Sequence, residues 1–276
     1  MGRKLGQHFL VSTGILERLI ALAAIEPGEP VLEVGPGRGA LTERLLAAGA
    51  YVAAVEVDPG LAAALQARWG AHERFRLIAA DILKTSLEAQ ALFGTDTPYA
   101  VIANLPYYLT TPLLFRFVRE RRRFTRLLLM VQREVGDRMA ASPADGHAYG
   151  SLSIAAQVAF SVRSVLNVPP GAFHPRPKVD SAVVELRPRP PYLLHDPASG
   201  LAPEAEQGFL DHVKGLFSQR RKRLSGTLRR TQPPWPPERL QAALELVGER
   251  RPEGLSPAEH LALYAVLRGL APPPPA

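Results

Sequence analysis

The first half of the chain alternates between continuous apolar runs and segments whose apolar residues recur at helical spacing. Runs of this kind are typical of strands that are buried on both faces of a sheet. Strands that alternate with helices predict a parallel sheet covered by helices on both sides. The predicted strands are Pro30–Gly35, Tyr51–Val57, Phe75–Ala79, Tyr99–Ala103 and Arg126–Val131, and the predicted helices are Ile15–Ala23, Leu41–Ala48, Pro59–Arg68, Leu87–Phe93 and Pro112–Glu120.

The pattern changes after about Gly136. A helical segment and two strand-like runs are followed by a Pro- and Ala-rich stretch, 188–203, which is typical of a linker. Amphipathic helical segments then continue almost to the C-terminus. We therefore expect an α/β domain over residues 1–190 and a small all-helical domain over 191–276, with a disordered tail at 272–275. The predicted elements of this half are Tyr149–Ala159, Ser161–Val168, Ser181–Arg187, Glu204–Ser218, Pro236–Val247 and Ser256–Leu267.

Composition narrows the class of protein. The chain has 276 residues, of which 46% are hydrophobic and 21% charged, as in globular proteins. It has no cysteine, which excludes disulfides and thiolate metal sites, and we expect no metal. The N-terminal residues lack the apolar core of a signal peptide, and no apolar run approaches the roughly 20 residues of a membrane helix. These features predict a cytoplasmic protein that does not bind a membrane.

The net charge of +7 favours polyanionic partners such as nucleic acids. Compositional bias is an alternative reason for this charge, because 28 of the 33 basic residues are arginine. Clustered charges are more informative than the total, since they create a local field. The two clusters that we consider as RNA-binding candidates are Arg121, Arg122 and Arg123, and Arg220, Arg221, Lys222 and Arg223.

The predicted strands end in residues suited to binding a nucleoside. The first is followed by a glycine-rich turn with the spacing G-x-G-x-G, from Gly35 to Gly39, which differs from the G-x-G-x-x-G loop of dinucleotide-binding proteins. Glu56 ends the second strand, where a carboxylate can accept the hydroxyls of a ribose. Asp81 and Asn104 end the next two. Ligands of parallel sheets bind at this edge, so the sequence predicts a binding site there.

The tetrapeptide Asn104-Leu105-Pro106-Tyr107 suits an aromatic base that carries an amino group. The Asn104 amide oxygen can accept hydrogen bonds from an amino group, and Tyr107 offers a flat face for stacking. A strand that ends in a proline turn is an alternative interpretation, because asparagine is common in such turns.

Together these motifs resemble class I S-adenosylmethionine-dependent methyltransferases of the adenine-N6 type, and more narrowly the ribosomal RNA adenine dimethyltransferase family. The resemblance runs from about residue 3 to residue 270. It implies a Rossmann-like, mostly parallel sheet with helices on both faces and a helical C-terminal domain. The motifs that carry it are E-V-G-P-G-R-G at 33–39, E-V-D at 56–58, A-D-I-L at 80–83, N-L-P-Y at 104–107, K-L-G-Q-H-F-L at 4–10, F-H-P-R-P-K-V-D-S at 173–181 and F-S-Q-R-R-K at 217–222.

The resemblance implies roles for residues around S-adenosylmethionine. His8 and Leu10 would close over this cofactor, although asparagine is commoner than histidine at the position of His8. The other implied contacts are those of Gly35 and Gly37 with the methionine part, Glu56 with the ribose, Asp81 with the adenine amino group, and Asn104 between cofactor and substrate.

The resemblance also implies roles around the target adenine. The Asn104 side-chain oxygen and the Leu105 carbonyl would accept the hydrogens of N6, while Pro106 fixes the turn. Tyr107 and Phe173 would stack on the two faces of the base. The two basic clusters would contact phosphates of the RNA.

Within the family, the C-terminal helices and the 173–181 motif look most like the bacterial enzymes that dimethylate two adjacent adenines near the 3′ end of 16S rRNA. The implied partner is therefore 16S rRNA in the small ribosomal subunit, and we expect a monomer. Two alternatives remain open: an enzyme that dimethylates large-subunit rRNA, and a non-catalytic ribosome-assembly factor that keeps the same fold.

Overall fold

The computed structural model describes residues 7–189, 205–230 and 234–270. The predicted linker at 188–203 and the tail at 272–275 lie largely or wholly outside these residues, as do Lys4, Leu5 and Gly6 of the N-terminal motif. The strands are β1 Phe9–Leu10, β2 Pro30–Val34, β3 Tyr51–Glu56, β4 Phe75–Ala79, β5 Tyr99–Asn104, β6 Phe124–Gln132, β7 Phe160–Val168, β8 Phe173–His174 and β9 Ser181–Pro188.

The helices lie between these strands and after them. Those of the first half are α1 Thr13–Ala23, α2 Ala40–Ala47, α3 Pro59–Trp69, α4 Ala89–Phe93, α5 Thr110–Arg119, α6 Arg133–Ala140 and α7 Ser151–Gln157. The C-terminal helices are α8 Ala205–Ser218, α9 Leu224–Leu228, α10 Pro237–Val247 and α11 Pro257–Leu267. The alternation of strands and helices predicted from the sequence is confirmed.

Seven strands form one sheet in the order β4-β3-β2-β5-β6-β9-β7. The pairs β4-β3, β3-β2, β2-β5 and β5-β6 are parallel, and β6-β9 is antiparallel. The sheet is therefore mostly parallel, as predicted. Strand order reverses between β2 and β5, and ligands of open α/β sheets bind at such a switch point. The ends of β2, β3, β4 and β5 meet at this edge.

The chain divides into two compact units, Met1–Gly136 with Val162–Arg187, and Asp137–Ser161 with Pro188–Ala276. The sequence placed residues 137–161 in the first domain, whereas in the structure this segment groups with the C-terminal helices. Tyr149 shows why: its hydroxyl donates a hydrogen bond to the Leu255 carbonyl, at 2.7 Å, and its ring packs edge-on against Phe217. These contacts join residues 106 and 68 positions apart, so they cannot be detected from the local sequence pattern.

Two short helices were missed by the sequence analysis, α6 and α9. Helix α9 has only five residues, too few for a helical repeat of apolar positions to stand out. Its Leu224 and Leu228 are nevertheless buried in the core of the second unit, together with Leu216 and Leu263.

Candidate active site

The glycine-rich loop between β2 and α2 needs glycine for two reasons. Gly35, Gly37 and Gly39 all have positive φ, between 60° and 80°, where other residues are strained. A Cβ atom on Gly37 would also lie 3.0 Å from the Phe9 ring, and one on Gly39 only 2.3 Å from Trp69. The loop therefore adopts a backbone conformation that other residues would reach only with strain, and it lets the N-terminal segment approach closely.

Glu56, at the end of β3, is fixed by two backbone groups. Its Oε2 accepts a hydrogen bond from the Gly37 amide at 3.1 Å, and its Oε1 accepts one from the Asp58 amide at 2.9 Å. The residue is buried, yet its side chain faces the cavity described below. Each carboxylate oxygen has two acceptor positions, so one on each oxygen remains for a ligand.

Asn104, at the end of β5, is oriented by the N-terminal segment. Its Nδ2 donates a hydrogen bond to the His8 carbonyl at 3.2 Å. This contact uses the donor side of the amide and directs the oxygen away from His8. The next residue is anchored in the sheet, because the Leu105 amide donates to the Met130 carbonyl at 3.0 Å. Asn104 is thus presented as a hydrogen-bond acceptor.

Tyr107 stands between the N-terminal segment and β9. Its ring lies 5.8 Å from the His8 ring, at an angle of 34°, and its hydroxyl is 3.0 Å from the Ser181 hydroxyl. His8 is itself held by a hydrogen bond of 2.7 Å between Nδ1 and the Pro175 carbonyl. Three segments that are far apart in the sequence are therefore joined around Asn104.

These residues line one cavity of about 530 Å³ in the first unit. Its volume falls within the range of small-ligand sites, and its wall carries the carboxyl groups of Glu33, Glu56 and Asp81. The cavity brings together ten of the residues singled out in the sequence: His8, Leu10, Gly35, Gly37, Glu56, Asp81, Asn104, Leu105, Pro106 and Tyr107.

Comparison with known proteins assigns the chain to a family. The model of the family described as ribosomal RNA adenine dimethylase matches residues 1–265. The chain belongs to this family. A relative named ribosomal RNA small subunit methyltransferase A, from Thermosynechococcus vestitus, is 43% identical over 276 residues, with 97% of each chain covered. A relative of the same name from Lactobacillus delbrueckii is 43% identical over 264 residues, with 92% of this chain and 86% of the relative covered.

Solved structures agree with this assignment and with the predicted class I methyltransferase fold. A dimethyladenosine transferase from Plasmodium falciparum matches with a TM-score of 0.77 and 26% identity, covering 95% of this chain and 99% of the other. The 23S rRNA methyltransferase ErmE matches with a TM-score of 0.69 and 27% identity, covering 94% and 99%. As a member of the adenine dimethylase family, the chain is a methyltransferase that uses S-adenosylmethionine.

Glu33 is a cavity residue of this dimethylase that the sequence analysis did not single out. The pKa of its carboxyl is raised to about 8, mainly by burial and to a smaller extent by the nearby Glu56, although the hydrogen bond from Thr42 lowers it. The Thr42 hydroxyl donates that bond at 2.6 Å. Glu33 precedes Gly35 by two residues in the glycine-rich motif. An acidic residue at this position is the sequence feature that could have identified Glu33 as a cavity residue.

Tyr108 also differs from expectation. From the sequence we expected no site role for it, but it lines the cavity of the dimethylase and 55% of its surface is exposed. Burial raises the pKa of its hydroxyl, and the carboxylates of Asp81 and Glu56 raise it further. Both consecutive tyrosines line the cavity, at the short turn Tyr107–Leu109 that follows β5.

Phe173 lies apart from the cavity lining of the dimethylase. It is 4% exposed and packs in the core cluster of the first unit, with β8 paired to β1 through Leu10 and Phe173. In this arrangement its ring has no free face for a base. The stacking role remains a prediction, and it would require the 173–181 segment to move.

The Arg121–Arg123 cluster of the dimethylase is not the exposed surface that the sequence suggested. Arg121 is 1% exposed and donates to the Val118 carbonyl at 2.6 Å, so it has no surface to offer to RNA. Arg123 forms ion pairs with Glu88 and Glu120. Arg122 is exposed. These arginines are adjacent in sequence, but the turn after α5 points their side chains in different directions.

The Arg220–Arg223 cluster is divided in a similar way. Arg220 pairs with Glu253 at 2.6 Å and donates to the carbonyls of Gly146 and His147, so it joins parts of the second unit. Arg221 and Lys222 are exposed, and so is Arg223, which lies 3.6 Å from Glu249. The exposed residues of the dimethylase that suit an RNA contact are therefore Arg122, Arg221, Lys222 and Arg223.

In the part of the chain that the structure describes, no helix is long and apolar enough to cross a membrane. Within the same residues, no group of three or more acidic or histidine side chains is arranged to hold a metal ion.

Proposed function

We propose that this dimethylase transfers methyl groups to N6 of two adjacent adenines near the 3′ end of 16S rRNA, in the small ribosomal subunit. The observation that carries the choice of subunit is the identity of 43%, over almost the whole chain, to a relative named for the small subunit. Identity to ErmE, a 23S rRNA methyltransferase, is 27%. Large-subunit rRNA is the second candidate because ErmE shares the fold over 94% of this chain.

The cavity fits S-adenosylmethionine in charge and size. Glu56 and Asp81 supply carboxylates for a ligand that carries an amino group and a sulfonium, and a volume of about 530 Å³ suits a nucleoside with a side chain. The free acceptor positions of Glu56 would take the ribose hydroxyls, Asp81 the adenine amino group, and the loop at Gly35 and Gly37 the methionine part. When bound, this cofactor supplies an electrophilic methyl group.

His8 and Leu10 line the cavity together with Gly35 and Gly37 of the glycine-rich loop. The His8 carbonyl also fixes Asn104. The residues that would close over the cofactor therefore also orient the residue that receives the substrate. This coupling supports a site in which donor and acceptor are held in line, which is the main requirement for a reactive donor and a weak nucleophile.

Asn104 and Leu105 would prepare the adenine. The lone pair of adenine N6 is delocalised into the ring, so the planar amine is a weak nucleophile. Hydrogen bonds from N6 to the Asn104 oxygen and the Leu105 carbonyl would favour a tetrahedral nitrogen and localise the lone pair. These bonds strengthen as the nitrogen becomes positive, so they stabilise the transition state more than the ground state. The proton becomes acidic only after methyl transfer, so no general base is needed.

Tyr107 would stack on the base after it leaves its helix. The hydroxyl contact with Ser181 holds the ring in place beside Asn104. Pro106 fixes the turn that puts both residues at the cavity. Exposed Arg122, Arg221, Lys222 and Arg223 would contact RNA phosphates without reading sequence. We propose a monomer that acts in the cytoplasm, where ribosomal subunits are found.

The test compares labelled methyl transfer to unmethylated small subunits, unmethylated large subunits and plasmid DNA, with the labelled nucleosides separated afterwards. We expect label in N6,N6-dimethyladenosine from small-subunit RNA only. Label from large-subunit RNA alone would replace the first candidate by the second. Binding of small subunits without transfer to any substrate would favour a non-catalytic assembly factor.

A further inference from the structure

Residues 81–85, here called the Asp81 turn, follow β4 and are folded back onto their first residue. The Asp81 carbonyl accepts hydrogen bonds from the Lys84 and Thr85 amides, at 2.9 and 3.0 Å, and from the Thr85 hydroxyl at 2.9 Å. The Asp81 side chain is held in the same turn, because its Oδ1 accepts a hydrogen bond from the Leu83 amide at 2.9 Å. No residue that the structure describes bonds to Oδ2, so this oxygen is left for a ligand of the cavity that Asp81 lines.

Arg116, on α5, holds two carbonyl groups of the Asp81 turn. Its Nη1 donates a hydrogen bond to the Ile82 carbonyl, and its Nη2 donates one to the Thr85 carbonyl. The guanidinium is itself held by Glu120, whose Oε1 lies 2.9 Å from Nε, and the Arg116 side chain is only 14% exposed. A guanidinium presents its donors in a planar fork, so it can set the positions of two groups at once. Arg116 therefore fixes the turn at both of these carbonyls.

Helix α5 joins this contact to the substrate side of the cavity. The helix begins at Thr110, directly after the short turn Tyr107–Leu109, and both tyrosines of that turn line the cavity. Arg116 belongs to the same helix. One element thus follows the residues proposed to receive the RNA base and carries the residue that holds the Asp81 turn.

A second side chain holds the chain beyond the Asp81 turn. The hydroxyl of the buried Tyr99 donates a hydrogen bond to the Leu87 carbonyl at 2.8 Å. Among the described residues, Ile82 lines the cavity and Leu87 does not. Of these two anchors, Arg116 is therefore the one that acts on the cavity wall.

We propose that Arg116 is a positioning residue, which sets Asp81 for the amino group of the cofactor's adenine and thereby makes the site selective for adenine over its deaminated counterpart. The inference rests on the proposed function, which gives Asp81 this ligand. A carboxylate distinguishes an amino group from a carbonyl only if its free oxygen is held in place, because hydrogen bonds weaken steeply when they are misaligned. Without Arg116, the Ile82 and Thr85 carbonyls lose these donors and the turn is free to adopt other conformations.

The experiment measures by calorimetry how tightly the full chain binds two ligands. One is S-adenosylhomocysteine, the demethylated cofactor, and the other is S-inosylhomocysteine, in which an oxygen replaces the amino group of the adenine. The wild-type protein should bind the first at least about tenfold more tightly, because the second places an acceptor against the Asp81 carboxylate. Arg116→Gln should weaken binding of the first ligand by about tenfold and binding of the second by less than twofold. Equal weakening of both would show a general structural role, and no weakening of either would show that Arg116 does not set Asp81. Each of these two results would overturn the proposal.

Tyr99→Phe is the matched control, because it removes a buried hydrogen bond from the same connection at Leu87. This variant should keep the wild-type ratio of the two affinities. A fall in the ratio as large as that of Arg116→Gln would mean that any loosening of the connection suffices, and would overturn the specific role of Arg116. Failure of the proposed function would appear separately, in the wild-type protein: equal affinity for the two ligands would show that Asp81 does not contact the amino group.

Arg116→Lys keeps the test informative if Arg116→Gln does not fold. Lysine keeps the charge but cannot hold both carbonyls as the fork does, so the ratio of affinities should fall between those of wild type and Arg116→Gln. A wild-type ratio would mean that charge alone is sufficient, and would contradict the proposal. In an Asp81→Ala background, Arg116→Lys should change the affinity for S-adenosylhomocysteine by less than twofold, since the residue through which it acts is absent. An undiminished effect in that background would show that Arg116 acts by another route.

Discussion

At the scale of single residues, the site depends on groups whose hydrogen-bonding state is set by neighbours in the fold. Asn104 acts as an acceptor because its amide nitrogen is held by the His8 carbonyl. Replacing Asn104 with alanine should therefore lower methyl transfer by about 10²- to 10³-fold, the range seen when one transition-state hydrogen-bonding group is removed. Subunit binding should change less than twofold. Single-turnover transfer and subunit affinity measure the two effects, and an equal loss of both would contradict the mechanism.

Glu33 gives a second prediction at this scale, based on the pKa of about 8 for its carboxyl. Above pH 4.5 the unfolded chain releases the proton that the folded chain keeps, so folding stability falls as the pH rises from 4.5 to 8. Glu33→Gln mimics the neutral acid and can still accept from Thr42. The variant should gain about 1.4 kcal/mol over wild type for each pH unit in this window. Urea unfolding of the ligand-free proteins from pH 5 to 8 checks this, and parallel stability profiles would refute it.

At the scale of elements, the turn from β2 into α2 is determined by packing as well as by backbone conformation. A Cβ on Gly39 would meet Trp69, whereas Gly94, which also has positive φ, has open space around it. Gly94→Ala should cost about 1–2 kcal/mol from backbone strain alone. Gly39→Ala should cost a further 1–3 kcal/mol or so through overpacking, and should weaken cofactor binding because the loop is displaced. Thermal unfolding and cofactor titration of both variants provide the comparison. Equal destabilisation would mean that Trp69 adjusts freely.

The strands and the site residues that could be predicted from sequence are those marked by a local pattern of residues. Apolar runs identify β2 to β6, and the strand-end residues Glu56, Asp81 and Asn104 follow from the rule that ligands bind at one edge of a parallel sheet. The burial and the ion pairs of the arginines could not be predicted from sequence. Arg126, the first residue of a predicted strand, is buried and pairs with Glu29 at 2.5 Å, 97 positions earlier. Partners at such distances are fixed by tertiary packing, and no local window contains them.

At the scale of the whole molecule, the two units differ in the titratable residues that are buried in their cores. The second unit encloses His212, whose ring lies 5.3 Å from that of Tyr264 and 6.1 Å from that of Trp235. Nε2 of His212 is buried with no hydrogen-bond partner among the described residues. Burial lowers the pKa of His212 to about 3 and that of His260 to about 4. Neither histidine lines the cavity. Acid should therefore destabilise the second unit by favouring protonation of the histidines in its core.

The sign of this effect follows from the two lowered pKa values. Between pH 6.5 and 4 the unfolded chain binds protons at both histidines while the folded unit does not. The second unit therefore loses stability as the pH falls, by up to about 1.4 kcal/mol per histidine per pH unit.

The chain has two tryptophans, Trp69 in the first unit and Trp235 in the second, so the variants Trp69→Phe and Trp235→Phe report each unit separately. Trp235 fluorescence should show acid unfolding of the second unit, and His212→Leu should move its midpoint to lower pH because one of the two groups no longer titrates. The Trp69 signal should not respond to this substitution, and a midpoint for Trp235 that stays unchanged would show that His212 is already charged in the folded protein.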